Sequence, residues 1–118
     1  MKKKILMLLS IVACCTPVLA NANKHNTLSN PVPGVVCDTY FCVDASGISD
    51  PLTTRYLGEK KGKELTAQGA FDRSTFTFAN GVYCDTKEKV CRKDRHFGAD
   101  GKPSGAIDDN TTRWLFGH

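Results

Sequence analysis

The sequence predicts an α+β fold: a small disulfide-stapled domain of two related β-hairpin-plus-short-helix units, with a three-stranded antiparallel meander. Three observations carry this. The first is an internal echo. Gly34-Val35-Val36-Cys37-Asp38-Thr39-Tyr40-Phe41-Cys42 and Gly81-Val82-Tyr83-Cys84-Asp85-Thr86-Lys87-Glu88-Lys89-Val90-Cys91 both open G-V-x-C-D-T and close with an apolar residue and a cysteine. The second is another matched block in the same order. Asp50, Thr53-Thr54-Arg55-Tyr56-Leu57 and Gly58 are answered by Asp108, Thr111-Thr112-Arg113-Trp114-Leu115 and Gly117. The third is Ser74-Thr75-Phe76-Thr77-Phe78, which alternates aromatic and hydroxyl residues as a strand does, followed by the hairpin turn signal Asn80-Gly81. The related units span about 34–58 and 81–117, inside one domain at 34–118.

Lys2-Lys3-Lys4 and the apolar run from Ile5 to Ala20 read as a secretory signal, with an A-x-A cleavage site at Ala20-Asn21-Ala22. Cleavage after Ala22 predicts a signal peptide at 1–22, with cleavage after Ala20 as the alternative. Ile11-Val12-Ala13-Cys14 offers a competing reading, a lipobox with Cys14 as a lipidated N-terminus. The run is too short and too interrupted, by Ser10, Thr16 and Pro17, for a membrane span. Residues 23–33 are polar, end in Pro31-Val32-Pro33, and read as a flexible leader. Of the 16 Lys and Arg, three (Lys2, Lys3, Lys4) leave with residues 1–22, so 13 remain against 12 Asp and Glu. That near-neutral balance excludes an electrostatic case for nucleic-acid binding.

The first unit opens on a hairpin. Cys37 opposite Cys42 puts Asp38 across from Phe41 and leaves Thr39-Tyr40 as the loop. Cys84 opposite Cys91 puts Asp85 across from Val90 and Thr86 across from Lys89, with Lys87-Glu88 as the loop. The second hairpin is two residues longer, and an even insertion keeps every side chain on its own face. Asp44-Ala45-Ser46-Gly47 is turn chemistry. Asp50-Pro51 reads as N-cap and first helical residue of a helix ending at Leu57, with Gly58 as its C-terminal cap. Leu52 and Tyr56 share one face. Glu59 onward continues as an exposed helix through Leu65, weakened by Gly62 and ended by Gly69; Lys60, Lys61 and Lys63 are its solvated face.

The meander occupies about 74–79, 82–86 and 89–93. Ala79 paired with Val82 would set Phe78 opposite Tyr83. A polar loop follows from Arg92 to Ile107. Asp108 or Asn110 caps a last helix, whose Trp114, Leu115 and Phe116 are expected to dock on the sheet.

Cys14 and Cys15 leave with the signal. Four cysteines in an exported chain read as two disulfides, for which three connectivities exist. Cys37–Cys42 with Cys84–Cys91 fits both the echo and the hairpin register. A four-cysteine metal site or a redox pair would call for C-x2-C spacing, which is absent.

The sequence assembles little chemistry. It contains no G-x-S-x-G, H-E-x-x-H or C-x-x-C. The glycine–lysine stretches at 58–63 and 98–102 lack P-loop spacing. His25, His96 and His118 have no evident partners. Asp94, Asp100, Asp108 and Asp109 do not follow calcium-loop spacing. No catalytic residue, metal ligand or cofactor is assigned. The candidate binding residues are Arg55 with Tyr56 and Arg113 with Trp114, since each echo sets a guanidinium beside an aromatic ring. Either they maintain the fold or they recognise an anionic partner.

C-D-T-Y-F-C, G-I-S, Y-L-G and F-D-R-S-T-F-T-F-A-N-G-V-Y-C-D-T-K-E-K-V-C-R-K-D together resemble the YcgJ-like, or Fels-1 prophage protein-like, family of small exported bacterial proteins. The resemblance covers about residues 34–117. It implies export and supplies no catalytic residues. The expected function is therefore a non-enzymatic binding or inhibitor module of the cell envelope, periplasmic or secreted, whose partner is an envelope protein. The alternative is an envelope hydrolase or metal-dependent enzyme centred on the Asp94–Asp109 loop. A purely structural role is a third class.

Overall fold

Residues 27–118 are described in the computed structural model. The signal at 1–22, the competing lipidation of Cys14, and His25 lie outside the described residues. The elements run β1 (Ser29–Val32), β2 (Val35–Cys37), β3 (Cys42–Asp44), β4 (Gly47–Ser49), α1 (Asp50–Leu57), α2 (Glu59–Thr66), β5 (Thr75–Thr77), β6 (Tyr83–Asp85), β7 (Val90–Arg92) and α3 (Asp109–Phe116). Strands β1 to β4 form one antiparallel sheet in chain order, and β5 to β7 form another. With two disulfides, this is a small stapled α+β protein.

The first sheet has two more strands than the hairpin read from sequence. Residues 23–33 read as a polar leader, yet from Ser29 the chain forms edge strand β1. Val32 pairs with Val35, and the Asn30 side chain donates to the carbonyls of Val32 and Val35 at 2.9 and 2.7 Å. Side chains here are mostly exposed, so no apolar alternation advertises the strand. Pro31 fits because an edge strand need not donate on both sides. Strand β4 was hidden differently: its three residues stand between a turn and a helix cap, and they pair Val43 with Ile48 and Cys42 with Ser49. The cap of α1 is Ser49 rather than Asp50; its hydroxyl accepts from the Leu52 N–H at 3.2 Å. Asp50 instead pairs with Arg73 at 2.9 Å.

The meander is present with its register moved by one residue. Thr77, not Phe78, stands opposite Tyr83, and Phe76 stands opposite Cys84. The turn is longer than Asn80-Gly81 alone: Phe78 N–H donates to the Val82 carbonyl at 2.8 Å, and Gly81 N–H returns to Phe78 at 2.8 Å. Gly81 takes φ +93°, the left-handed position that closes a three-residue loop. The slip is decisive, because one residue exchanges the faces of a strand. Phe76, Phe78, Val82 and Cys84 now share the core. Tyr83 turns to the opposite face, where it meets Phe97 at 6.0 Å, edge to face. The next turn also differs. Lys89 N–H donates to the Asp85 carbonyl at 2.8 Å and Lys89 has φ +60°, so the loop runs from Thr86 to Lys89.

The two halves share a pattern of bonds. Cys37 and Cys42 are cross-strand partners joined by a disulfide, with Cα atoms 4.1 Å apart; Cys84 and Cys91 are the same at 4.0 Å. Asp38 accepts from the N–H groups of Tyr40 and Phe41 at 2.7 and 3.0 Å, and Asp85 from those of Lys87 and Glu88 at 2.8 and 3.3 Å. Strand β3 continues into β4 by Val43 opposite Ile48; β7 is continued by Arg92 opposite Ile107. Ser49 caps α1, and Asp108 caps α3 by accepting from Thr111 N–H at 3.3 Å. Both helices have eight residues and stop at a glycine, Gly58 or Gly117.

This geometry aligns Ser49 with Asp108 and hence Thr53 with Thr112. The matched letters Thr-Thr-Arg-aromatic-Leu are thus one residue out of register. In space Arg55 answers Trp114, and Arg113 answers Thr54.

One buried cluster joins the sheets: Val36 and Val43 from the first, Phe76, Phe78, Val82, Cys84 and Cys91 from the second, and Leu115 from α3. Phe41 fills the seam, its ring 5.6 Å from Phe78 and 6.1 Å from Phe76. A smaller cluster under α1 holds Val35, Cys37 and Cys42 against Leu52, Tyr56 and Leu57. Trp114 does not dock as expected. Thr111, Thr112 and Leu115 form the buried stripe of α3, at helical spacing, which leaves Trp114 turned aside and 38% exposed. Bonds that tie the halves include Ala79 N–H to the Asp38 carboxylate at 2.7 Å, Gly34 N–H to the Trp114 carbonyl at 3.1 Å, Ile48 N–H to the Arg73 carbonyl at 3.0 Å, and the Arg73 side chain to Asp50 at 2.9 Å.

Candidate binding surface

The acidic loop does not gather into a centre. Asp94 accepts from its own neighbour His96, whose ring nitrogen lies 2.8 Å from the carboxylate. Asp100 accepts the Lys102 N–H at 3.0 Å. Asp108 caps α3 and pairs with Lys93 at 3.1 Å. Each side chain is engaged by a local turn or cap, and among the described residues no three His, Cys, Asp or Glu groups are placed to hold a metal ion. Burial pushes the Asp108 carboxyl up, but bonds from the Thr111 hydroxyl, Lys93 and the Thr111 N–H outweigh it and hold the group below the usual carboxylate range.

The four candidate binding residues do not behave as two equal pairs. The Arg55 guanidinium lies 5.6 Å from the Tyr56 ring, and Tyr56 packs on the cluster under α1. Arg113 instead donates to the Asn110 side chain at 3.0 Å. Of the four, Arg113 and Trp114 line a groove. It measures about 420 Å³, between the β1–β2 turn at Asn30, Pro33 and Gly34 and the end of α3 at Leu115, Phe116 and Gly117. A larger groove of about 640 Å³ lies between α1 and α2, at Thr54, Glu59, Gly62, Lys63, Thr66 and Ala67.

Sequence reading missed a second exposed aromatic group. Arg95 sits 5.7 Å from the ring centroids of both Tyr83 and Phe97, with Phe97 46% exposed. Burial raises the Tyr83 phenol above its ordinary pKa, the Asp85 charge adds to that, and Arg95 opposes both. The signal was available: Arg95 and Phe97 are two apart, as on one face of a strand, but it needed the correct register of Tyr83. Tyr40 is also exposed, at 60%, with Lys61 over its ring at 5.1 Å.

Two stapled hairpins that each carry a capped helix define a small disulfide-bonded α+β protein. The family described as YcgJ protein matches residues 28–116, so the chain belongs to the YcgJ family. It is 54% identical over 98 residues to a protein of Escherichia coli (strain K12) named "Uncharacterized protein YcgJ", covering 83% of this chain and 80% of that one. No solved structure matches it. Among the described residues no helix is long and apolar enough to cross a membrane.

Proposed function

We propose that the chain is an exported, non-enzymatic binding or inhibitor module of the cell envelope, acting on an envelope protein through the Arg113–Trp114 groove. One observation carries this reading: Trp114 is held at the surface beside Arg113 while Leu115 seats the helix, so core packing does not account for the tryptophan. Tryptophan and arginine are the side chains that most often dominate interface energies. Arg55 and Tyr56 belong with fold maintenance on this reading. The signal at 1–22 and two short-range disulfides support a periplasmic or secreted location. The shared bonding of the halves supports an internal duplication.

The hydrolase or metal-dependent alternative at Asp94–Asp109 is not favoured, because Asp94, Asp100 and Asp108 are committed to turns and to a helix cap. The test compares capture from envelope extract by the oxidised protein and by Trp114→Ala, with melting temperatures matched. A protein retained by the first and lost by the second is the expected outcome. Equal recovery by both removes the groove from the account. Mass spectrometry of the N-terminus addresses export: a chain beginning at Asn23 supports cleavage after Ala22, and a diacylglyceryl Cys14 replaces it with the lipoprotein reading.

A further inference from the structure

The halves differ most in one interval. Between Val43 and Ile48 the first half needs only residues 44–47; between Arg92 and Ile107 the second has residues 93–106. The extra length forms a hairpin of its own. Lys93 N–H donates to Ala106 at 2.7 Å, Ser104 N–H to His96 at 2.9 Å and Gly98 N–H to Lys102 at 2.8 Å, and Phe97 bridges Pro103. The first half caps its helix and seats its buried threonine without any counterpart, so beyond Lys93, which pairs with the Asp108 cap, the shared plan does not call for the insert. Ordered loops that a scaffold does not need are where recognition residues concentrate.

Its chemistry is directed. Among the described residues Arg95 lies by two rings and has no ion pair, while the neighbouring acids are occupied, Asp94 by His96 and Asp100 by the Lys102 N–H. A pre-positioned guanidinium offers the planar fork that fits a carboxylate. Phe97 beside it offers an apolar anchor. We propose that the 93–106 insert is a contact element for a protein partner presenting an Asp or Glu carboxylate beside an apolar side chain. Arg95 is its charged donor and Phe97 its anchor. A nucleic acid or anionic membrane fits less well. Of the 16 basic residues, Lys2, Lys3, Lys4 and Lys24 precede residue 27, so residues 27–118 carry 12 against all 12 acids. A neutral body supplies no long-range field for a polyanion, and a single cation beside an exposed ring is the pattern of a protein hot spot. The insert shares no residue with the Trp114 groove, and its case stands without it.

The test is a nuclear magnetic resonance titration of the oxidised exported form with a glutamate-rich peptide containing one phenylalanine. The expected result is shifts centred on Arg95 and Phe97. Binding should weaken roughly five-fold or more in both Arg95→Gln and Phe97→Ala, with unchanged melting temperatures, and Arg95→Lys should not restore it. The Trp114→Ala variant should titrate like the parent, which separates this outcome from the groove's. The proposal is overturned by shifts elsewhere or none, by equal binding of a glutamine-for-glutamate peptide, or by a stronger response at the insert to single-stranded DNA or phosphatidylglycerol vesicles.

Discussion

Thr53 and Thr112 occupy equivalent places in the two halves. Each hydroxyl accepts the N–H of the second cysteine of its hairpin, Cys42 or Cys91, at 2.9 Å. They differ in where the hydroxyl proton goes: Thr53 donates to the Ser49 carbonyl at 2.7 Å, and Thr112 to the Cys91 carbonyl at 3.2 Å. Both threonines are buried, at 0% and 4% exposure, so each hydroxyl meets its cysteine N–H away from bulk water.

Thr53→Val and Thr112→Val keep the shape and remove the acceptor. Each is expected to cost about 1–3 kcal/mol, the penalty for stranding a buried donor. Urea unfolding of the oxidised protein measures it, and Thr→Ser at the same positions should recover most of the loss. A valine tolerated at either site would end the equivalence. Thr111→Val separates this pairing from the matched letters, since the Thr111 hydroxyl serves the Asp108 carboxylate instead.

Asp38 is a buried carboxylate that reaches across the halves. It is 4% exposed and accepts three N–H bonds, from Tyr40, Phe41 and Ala79. Asp85 has the same role in its own turn without the long-range bond. Asp38→Asn puts an amide donor among those N–H groups and is expected to destabilise by about 1–3 kcal/mol. Asp85→Asn should stay within about 1 kcal/mol. Equal effects in parallel denaturation curves would show that the Ala79 bond contributes nothing.

The α+β class was legible because its signals are local: cysteines at hairpin spacing, alternation at 74–78, and glycines after short helices. Register was not. Asn80-Gly81 announces a turn but not whether it has two or three residues, and the difference decides whether Tyr83 faces the core or Phe97. The echo was legible as letters and misleading as geometry, since the letters match Asp50 with Asp108 while the caps that correspond are Ser49 and Asp108. Arg113 and Trp114 were identifiable as candidates; that Trp114 lies outside required the stripe of Thr111, Thr112 and Leu115. The Arg95 group depends on contacts between distant segments, which periodicity does not carry.

Gly62 gives a case where local propensity and packing disagree in sign. In a free helix, Gly→Ala stabilises by up to about 1 kcal/mol. Here a Cβ at Gly62 would lie 1.9 Å from Thr54 Oγ1 and 3.2 Å from Thr54 Cα, so α1 and α2 would have to separate. Gly62→Ala is expected to destabilise by about 1–3 kcal/mol. Adding Thr54→Ala removes the closest atom and should restore part of the loss. A stabilised single variant in thermal unfolding would show that the two helices are free to part.

The Asp108 carboxyl makes the fold sensitive to acid in a definite direction. Its pKa is lowered in the folded chain despite the opposing effect of burial, through the Thr111 hydroxyl, Lys93 and the Thr111 N–H. A depressed folded pKa contributes stability that is fully present above the unfolded value, near 4, and is lost as pH falls through the folded value. Asp108→Asn retains an N-cap acceptor, since asparagine caps about as well as aspartate, but it removes the charge beside Lys93 and at the start of α3. Stability at pH 7 should fall by about 0.5–1 kcal/mol, and the loss of stability below pH 4 should become shallower. Asp108→Ala, which also removes the cap, should cost about 1–2 kcal/mol at pH 7. Denaturation midpoints followed from pH 7 to pH 2 distinguish the two variants. If the asparagine variant keeps the parent's full acid slope, that slope belongs to other carboxylates.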